Sequence, residues 1–262
     1  MDNQKTVLLL ASFGTSILRA SEASYDVIQK ELEEAAGRKV LQVYTDDDTA
    51  KAVDGIGGRK IYTVEDGIQA AIVQGFTEAV IVPVFFAEGE LYSTLRSRAD
   101  FWRDRIDIRM TDAVMYSPAS VEETAALLIE ALQPNPEHEY ILAGHEAAAY
   151  NQQVYDLLDE KLHEKGFPNM KVVKLSERDC VGQAAAHLKE RHTVSRDAQV
   201  ELVPLVVAWG DYMAGELYNS NSSFMWQLRR LGYRTVFSGK GLGEYAAFRK
   251  IYPKRYAELE AK

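Results

Sequence analysis

Two stretches in the first half of this chain recur in the second, and they constrain the fold more than any other feature. Residues 7–15 read VLLLASFGT, an apolar run that ends in small polar residues; residues 140–147 read YILAGHEA, an apolar run that ends in glycine and histidine. Ser12 falls opposite Gly144 and Phe13 opposite His145, an offset of 132 positions. A second pair follows, AVIVPVFFAEGE at 79–90 and VELVPLVVAWGD at 200–211. Here Pro83 matches Pro204, Gly89 matches Gly210 and Glu90 matches Asp211, at an offset of 121. Apolarity alone does not put a proline, a glycine and an acid at matching places, so the chain reads as one α/β unit used twice.

The rest of the pattern supplies strands alternating with helices. In the first half a strand over 6–12 leads to a helix over 21–36. Its Ala23, Val27, Ile28, Leu32 and Ala35 recur at helical spacing, and Gly37 closes it. A strand over 39–44, a polar connection over 46–58, a helix over 64–74 and the strand ending at Pro83 follow. A helix near 92–96, a short strand over 106–110 and a helix from Ser117-Pro118 to Leu132 complete the half. Pro134 and Pro136 then punctuate the chain. The second half repeats the rhythm: strands ending at Ala143 and over 171–175, 200–207 and 234–237, with helices around Leu158, over 181–191 and 224–231, and after Glu244. Such alternation implies right-handed crossovers and mostly parallel sheets. The expected architecture is α/β with two similar lobes, 1–130 and 131–262, each a mostly parallel sheet flanked by helices. The last helix is free to pack back on the first lobe, and a ligand cleft lies between the lobes.

In parallel sheets the carboxyl ends of the strands collect along one edge and carry the ligand-binding loops. The segments 12–15, 88–90, 145–147 and 209–212 should therefore line one cleft. Phe13, Phe85, Phe86, Trp209 and Tyr212 offer it flat apolar surface. Arg19, Arg96 and Arg98 stand near these loops in sequence, either as ligands for anionic groups or as ordinary solvated charges.

Several function classes are excluded at this level. A net charge of −9, from 39 acidic against 30 basic residues, argues against a nucleic-acid backbone as partner. The lone Cys180 forms no internal disulfide and no cysteine cluster for a metal, and is read as structural. The run 7–10 is too short, with Asp2 ahead of it, for a secretory signal, and no run is long enough to span a membrane, so the expected location is the cytoplasm. Gly239, Gly241 and Gly243 match neither the dinucleotide nor the Walker pattern and read as a structural turn, so no nucleotide is expected. Asp46, Asp47 and Asp48 are read as a helix cap or solvated face, and Ser12 lacks the context of a hydrolase nucleophile. His138, His163, His187 and His192 show no metal-ligand spacing.

Residues 12–16, the Pro83 to Glu90 loop, Gly144-His145, the Pro204 to Asp211 loop, Trp226 ahead of Leu231-Gly232-Tyr233, and the run from Lys240 to Glu244 together resemble the anaerobic sirohydrochlorin cobalt chelatases of the CbiK type. The six motifs occur in order over nearly the whole chain. The resemblance implies a chelatase-like bilobal fold and the insertion of a divalent metal into a tetrapyrrole such as sirohydrochlorin, without nucleotide hydrolysis, in anaerobic cobalamin-type biosynthesis. Cobalt is the expected metal, with ferrous iron or nickel as the further ones, and oligomerisation is left open. It implies His145 and Glu177 as metal ligands, and Tyr212 at the position of a family histidine, completing a catalytic set of His145, Glu177 and Tyr212. It also implies ligand-binding roles for Ser12, Phe13, Gly14, Thr15, Phe85, Glu88, Gly89, Glu90, Trp209 and Asp211. This chain departs from the family pattern at Tyr212 and Phe85, where the family has histidines, and at Glu146 and Ala147 after Gly144-His145. A non-catalytic protein that binds or delivers a tetrapyrrole or metal is the alternative.

Overall fold

The computed structural model describes residues 5–144, 153–191 and 199–262, with Tyr212 described by its backbone alone. In chain order the elements are β1 (Thr6–Ser12), α1 (Leu18–Ala23), α2 (Tyr25–Ala36), β2 (Val40–Tyr44), α3 (Asp47–Val53), β3 (Ile61–Thr63), α4 (Val64–Val73), β4 (Glu78–Pro83), α5 (Glu90–Asp100), β5 (Asp107–Met110) and α6 (Pro118–Leu132). They continue with β6 (Glu139–Gly144), α7 (Gln153–Glu164), β7 (Met170–Lys174), α8 (Cys180–Arg191), β8 (Gln199–Pro204), α9 (Asp211–Leu217), α10 (Phe224–Arg230), β9 (Arg234–Phe237), α11 (Ala246–Arg249) and α12 (Ile251–Glu260).

The strands form two wholly parallel sheets, ordered β3-β2-β1-β4-β5 and β7-β6-β8-β9. Strand β6 corresponds to β1, β7 to β2, β8 to β4 and β9 to β5, so the lobes share one topology as expected. Pro83 sits beside Ala11 and Pro204 beside Ala143, which places the sequence repeat in register. The second offset is the smaller because the first lobe inserts α3 and β3 between the equivalents of β7 and α8. The sequence reading took that insertion for a polar connection. Asp46 caps α3 by accepting from the Thr49 amide at 2.7 Å, so the acidic run starts a helix, as one of its two readings held.

Period-two alternation divides each central strand between two cores. Leu8 and Leu10 of β1, with Tyr140 and Leu142 of β6, belong to one apolar core shared by the lobes, while Val7, Leu9 and Ala11 face a second core within the first lobe. Ile141 and Ala143 face a third, within the second lobe. The expected helix over 21–36 is broken at Ser24, whose φ of −125° and ψ of −76° are non-helical, and its hydroxyl bonds the Ala20 carbonyl. Helix α12 packs on α2, and its Glu260 pairs with Arg38 at 3.2 Å and Arg109 at 2.7 Å.

Candidate functional site in the loops at the strand ends

The loops that leave the strands repeat their backbone bonding in both lobes. Val84 N donates to Ala11 O at 2.8 Å, and Leu205 N to Ala143 O at 2.9 Å. Thr45 N donates to Ser12 O at 2.8 Å, and Leu175 N to Gly144 O at 3.0 Å. Gly89 and Gly210 both cap a helix with extended backbone (φ −130° and −137°), so Glu90 and Asp211 each occupy the first helical position, where an acid is favoured by the helix dipole.

Of the predicted loops, the structure brings 12–15 and 209–211 together, while 145–147 lies outside the described residues. Thr15, only 3% exposed, donates its hydroxyl to Trp209 O at 3.1 Å across the lobes, and Ser16 Oγ donates to Asp211 Oδ2 at 2.5 Å. Gly210 allows this approach, since a Cβ there would stand 3.3 Å from Thr15 Oγ1. Gly14 is required as well: its φ is +108°, and a Cβ would lie 2.5 Å from Tyr44 Cδ2. Tyr44 in turn meets Ser21 Oγ at 3.2 Å, and Ser21 also receives Arg59. Tyr44 and Arg59 were missed by sequence reasoning, as was the partner of Ser16 within its motif; each acts through a tertiary contact that the sequence does not mark.

Other predicted residues lie differently. Ser12 is 2% exposed and its side chain bonds Tyr25 beneath the loop, so it supports the loop from inside. Burial, then the nearby Tyr44 phenol, push the Tyr25 phenol well up, and Ser12 opposes them. Phe13 is 41% exposed and available to a ligand. Phe85 packs on the core within the first lobe. Phe86 corrects the expectation of open aromatic surface: it is stacked between Tyr155 (6.4 Å) and Phe248 (5.9 Å) in the shared core. Trp209 is half-buried, its ring edge-on to Tyr218 and Phe237. Glu90 and Asp211 are exposed, Gly89 is buried and Glu88 half-buried. Partial burial raises the Glu88 carboxyl; Arg96 opposes the rise and Asp112 adds to it.

Glu177 lies three residues past the end of β7 and accepts from Lys174 Nζ at 2.7 Å and from Gln183 Nε2 at 2.7 Å. Those bonds, Lys174 first, hold its carboxyl below the usual range. His145 and Ala147 lie outside the described residues, as does the Tyr212 side chain. Among the described residues no group of three His, Cys, Asp or Glu side chains is arranged to hold a metal, and no helix is long and apolar enough to cross a membrane. Arg98 is a structural clamp on Glu65, Asp47 at 2.7 Å and Thr45 O at 2.8 Å, while Arg96 bonds Tyr92 Oη at 2.9 Å. The Gly241 and Gly243 turn is structural: Cβ atoms there would stand 2.4 Å from Val207 O and 2.7 Å from Ser24 Cβ. His163 and His187 stack at 6.0 Å, a contact between α7 and α8 that spacing along the chain conceals.

The arrangement is similar to known chelatases. The sirohydrochlorin chelatase SirB from Bacillus subtilis subspecies spizizenii, in complex with cobalt, superposes with a TM-score of 0.63 at 11% identity, covering 97% of this chain and 94% of that one. SirB from Bacillus subtilis with Fe3+ gives 0.62 at 12% identity, with 98% of each chain covered. A multi-domain protein from Deinococcus radiodurans with structural similarity to chelatases gives 0.57 at 18% identity, over 96% of this chain and 54% of that one. At these identities the likeness establishes the fold. No curated protein sequence matches the chain. The family model for cobalt chelatase (CbiK) matches residues 5–260, and the chain therefore belongs to the cobalt chelatase (CbiK) family.

Proposed function

We propose that this protein inserts a divalent metal ion, cobalt in the first instance and ferrous iron or nickel as further substrates, into a sirohydrochlorin-type tetrapyrrole held between its lobes. The observation that carries the reading is the cobalt chelatase match over residues 5–260 on a chain whose 12–16 and 209–211 loops meet at the strand ends. In this reading His145 and Glu177 hold the incoming metal, Tyr212 stands at the third position, and Phe13, Trp209 and the 85–90 loop border the macrocycle. Ser12, Gly14, Thr15 and Asp211 shape that border from the two lobes.

Insertion exchanges the metal's protein ligands for four pyrrole nitrogens and releases two N–H protons, so the site must hold the ion loosely and accept protons. A neutral imidazole, the side chain that His145 would offer, suits both tasks. Glu177 serves as a ligand only by sharing or releasing Lys174, which keeps its hold on the metal weak. The reading extends to a role in anaerobic cobalamin-type biosynthesis in the cytoplasm, with no nucleotide consumed.

A second reading, a protein that binds or delivers a tetrapyrrole or metal without catalysis, is favoured by Phe85 and Tyr212 at the places where the family resemblance implies histidines. Tyr212→His separates the two. A chelatase gains metal affinity and insertion rate together when imidazole replaces phenol. A binder that uses the phenol oxygen changes the absorption spectrum of its bound cofactor while insertion stays at the uncatalysed rate.

A further inference from the structure

We propose that Thr15 and Ser16 of the first lobe, with Trp209 and Asp211 of the second, form a latch that gates entry and exit of the tetrapyrrole; this rests on the reading that a macrocycle occupies the space between the lobes. Both bonds cross from one lobe to the other at the strand ends: Thr15 Oγ1 to Trp209 O at 3.1 Å and Ser16 Oγ to Asp211 Oδ2 at 2.5 Å. The two halves of the latch differ in what holds them. Thr15 is fixed from below, since its buried hydroxyl oxygen also accepts from Ile17 N at 3.1 Å and its neighbour Gly14 rests on Tyr44. Ser16 and Asp211 are both exposed, so their bond is the part that water can replace.

The sequence repeat does not carry the latch residues into the second copy. At the offsets that relate the lobes, Thr15 and Ser16 correspond to Ala147 and Ala148, and Asp211 corresponds to Glu90. Alanine has no hydroxyl, so these side chains supply no counterpart to the Ser16–Asp211 bond on the related side. The lobes also share an apolar core and the packing of α12 on α2, so breaking this tie parts the two loops at the strand ends and leaves the lobes joined below. Because the hydroxyl-to-carboxylate bond can form only where the two loops meet, removing it from the Ser16 side shifts the equilibrium between met and parted loops.

The test is stopped-flow binding of sirohydrochlorin under anaerobic conditions. Loss of one exposed hydrogen bond corresponds to about a fivefold change in the open population. Ser16→Ala is expected to raise the association and dissociation rates of sirohydrochlorin by about that factor together, leaving Kd within about twofold. An unchanged association rate, or a weakened Kd carried by dissociation alone, overturns the latch and makes Ser16 a contact residue. Paired cysteines, Ser16→Cys with Asp211→Cys in a Cys180→Ser background, supply the converse. After oxidation with diamide and confirmation of the bridge by thiol count, association should slow at least about tenfold and recover with reductant. A bridged protein that binds at the reduced protein's rate overturns the proposal. Cobalt insertion followed in the same samples judges the chelatase reading separately: altered binding rates with no insertion in any sample would uphold the latch and remove catalysis, and no sirohydrochlorin binding by any form removes both.

Discussion

Gly144 ends β6 directly against the ring of Tyr155: a Cβ at residue 144 would stand 2.6 Å from Tyr155 Cε1. The ring has no room to retreat, because Tyr155 is 3% exposed and stacks on Phe86, which stacks on Phe248. Gly144→Ala therefore overpacks the core shared by the lobes and should cost about 1–3 kcal/mol. Calorimetry checks this, with a fall in Tm of roughly 2–4 °C per kcal/mol. Since His145 follows this residue directly in the chain, insertion activity should fall further than stability alone accounts for. A variant with wild-type Tm would show that the Tyr155 ring yields.

The Lys174–Glu177 pair gives a pH prediction. The Glu177 carboxyl is held below the glutamate range by Lys174, then by Gln183. A carboxyl depressed in the folded state contributes stability above its unfolded pKa, and that contribution is lost as pH falls through the folded value. The pair is partly exposed, so its contribution should stay under about 1 kcal/mol. Lys174→Met should move the carboxyl up toward the ordinary value of 4.5 in a carbon-detected NMR titration and raise metal affinity by freeing a carboxylate oxygen. A titration unchanged by the substitution would place the control of Glu177 elsewhere.

Helix α12 ties the C-terminus to the first lobe, and Arg255 is the buried part of the tie. Its side chain is 4% exposed, and the guanidinium bonds Glu123 of α6 at 2.7 Å and lies over the Tyr116 ring at 5.1 Å. Arg255→Met should destabilise by about 2–3 kcal/mol in urea melts, since a half-buried carboxylate loses a partner. Glu123→Gln in the same background should cost less than its single effect, a coupling read from the double-mutant cycle. Additive costs would show that the ion pair contributes nothing.

Trp209 offers a test of where the macrocycle sits. Its ring is half-buried beside Tyr218 and Phe237, with its backbone carbonyl on Thr15. Trp209→Ala removes apolar area worth roughly 25 cal/mol per Å² and should weaken sirohydrochlorin binding more than binding of free cobalt, by titration of each. Equal losses would mean the ring is held elsewhere.

Much of this fold was legible in the sequence because each strand ends on a recognisable signal. Pro83 and Pro204 lie in register beside Ala11 and Ala143, and Gly37 and Ser117 bound their helices as expected. The insertion of α3 and β3 was missed because a seven-residue helix and a three-residue strand are too short to show periodicity among Asp46, Gly55, Gly57 and Gly58. At the site, the strand ends at Ser12 and after Pro204 marked the loops that meet. It could not show that Ser12 turns inward to Tyr25, that Phe86 is sealed in the core, or that Glu177 already holds Lys174, since each depends on residues distant in the chain.

The most direct test of the account is anaerobic metalation of sirohydrochlorin by Co2+, followed by its absorption bands, with wild-type protein, His145→Ala and no protein in parallel. Insertion should rise in proportion to wild-type protein and fall to the uncatalysed rate with His145→Ala, while circular dichroism shows the variant folded. Equal rates in all three samples would contradict the chelatase reading and leave a family member that binds without catalysing.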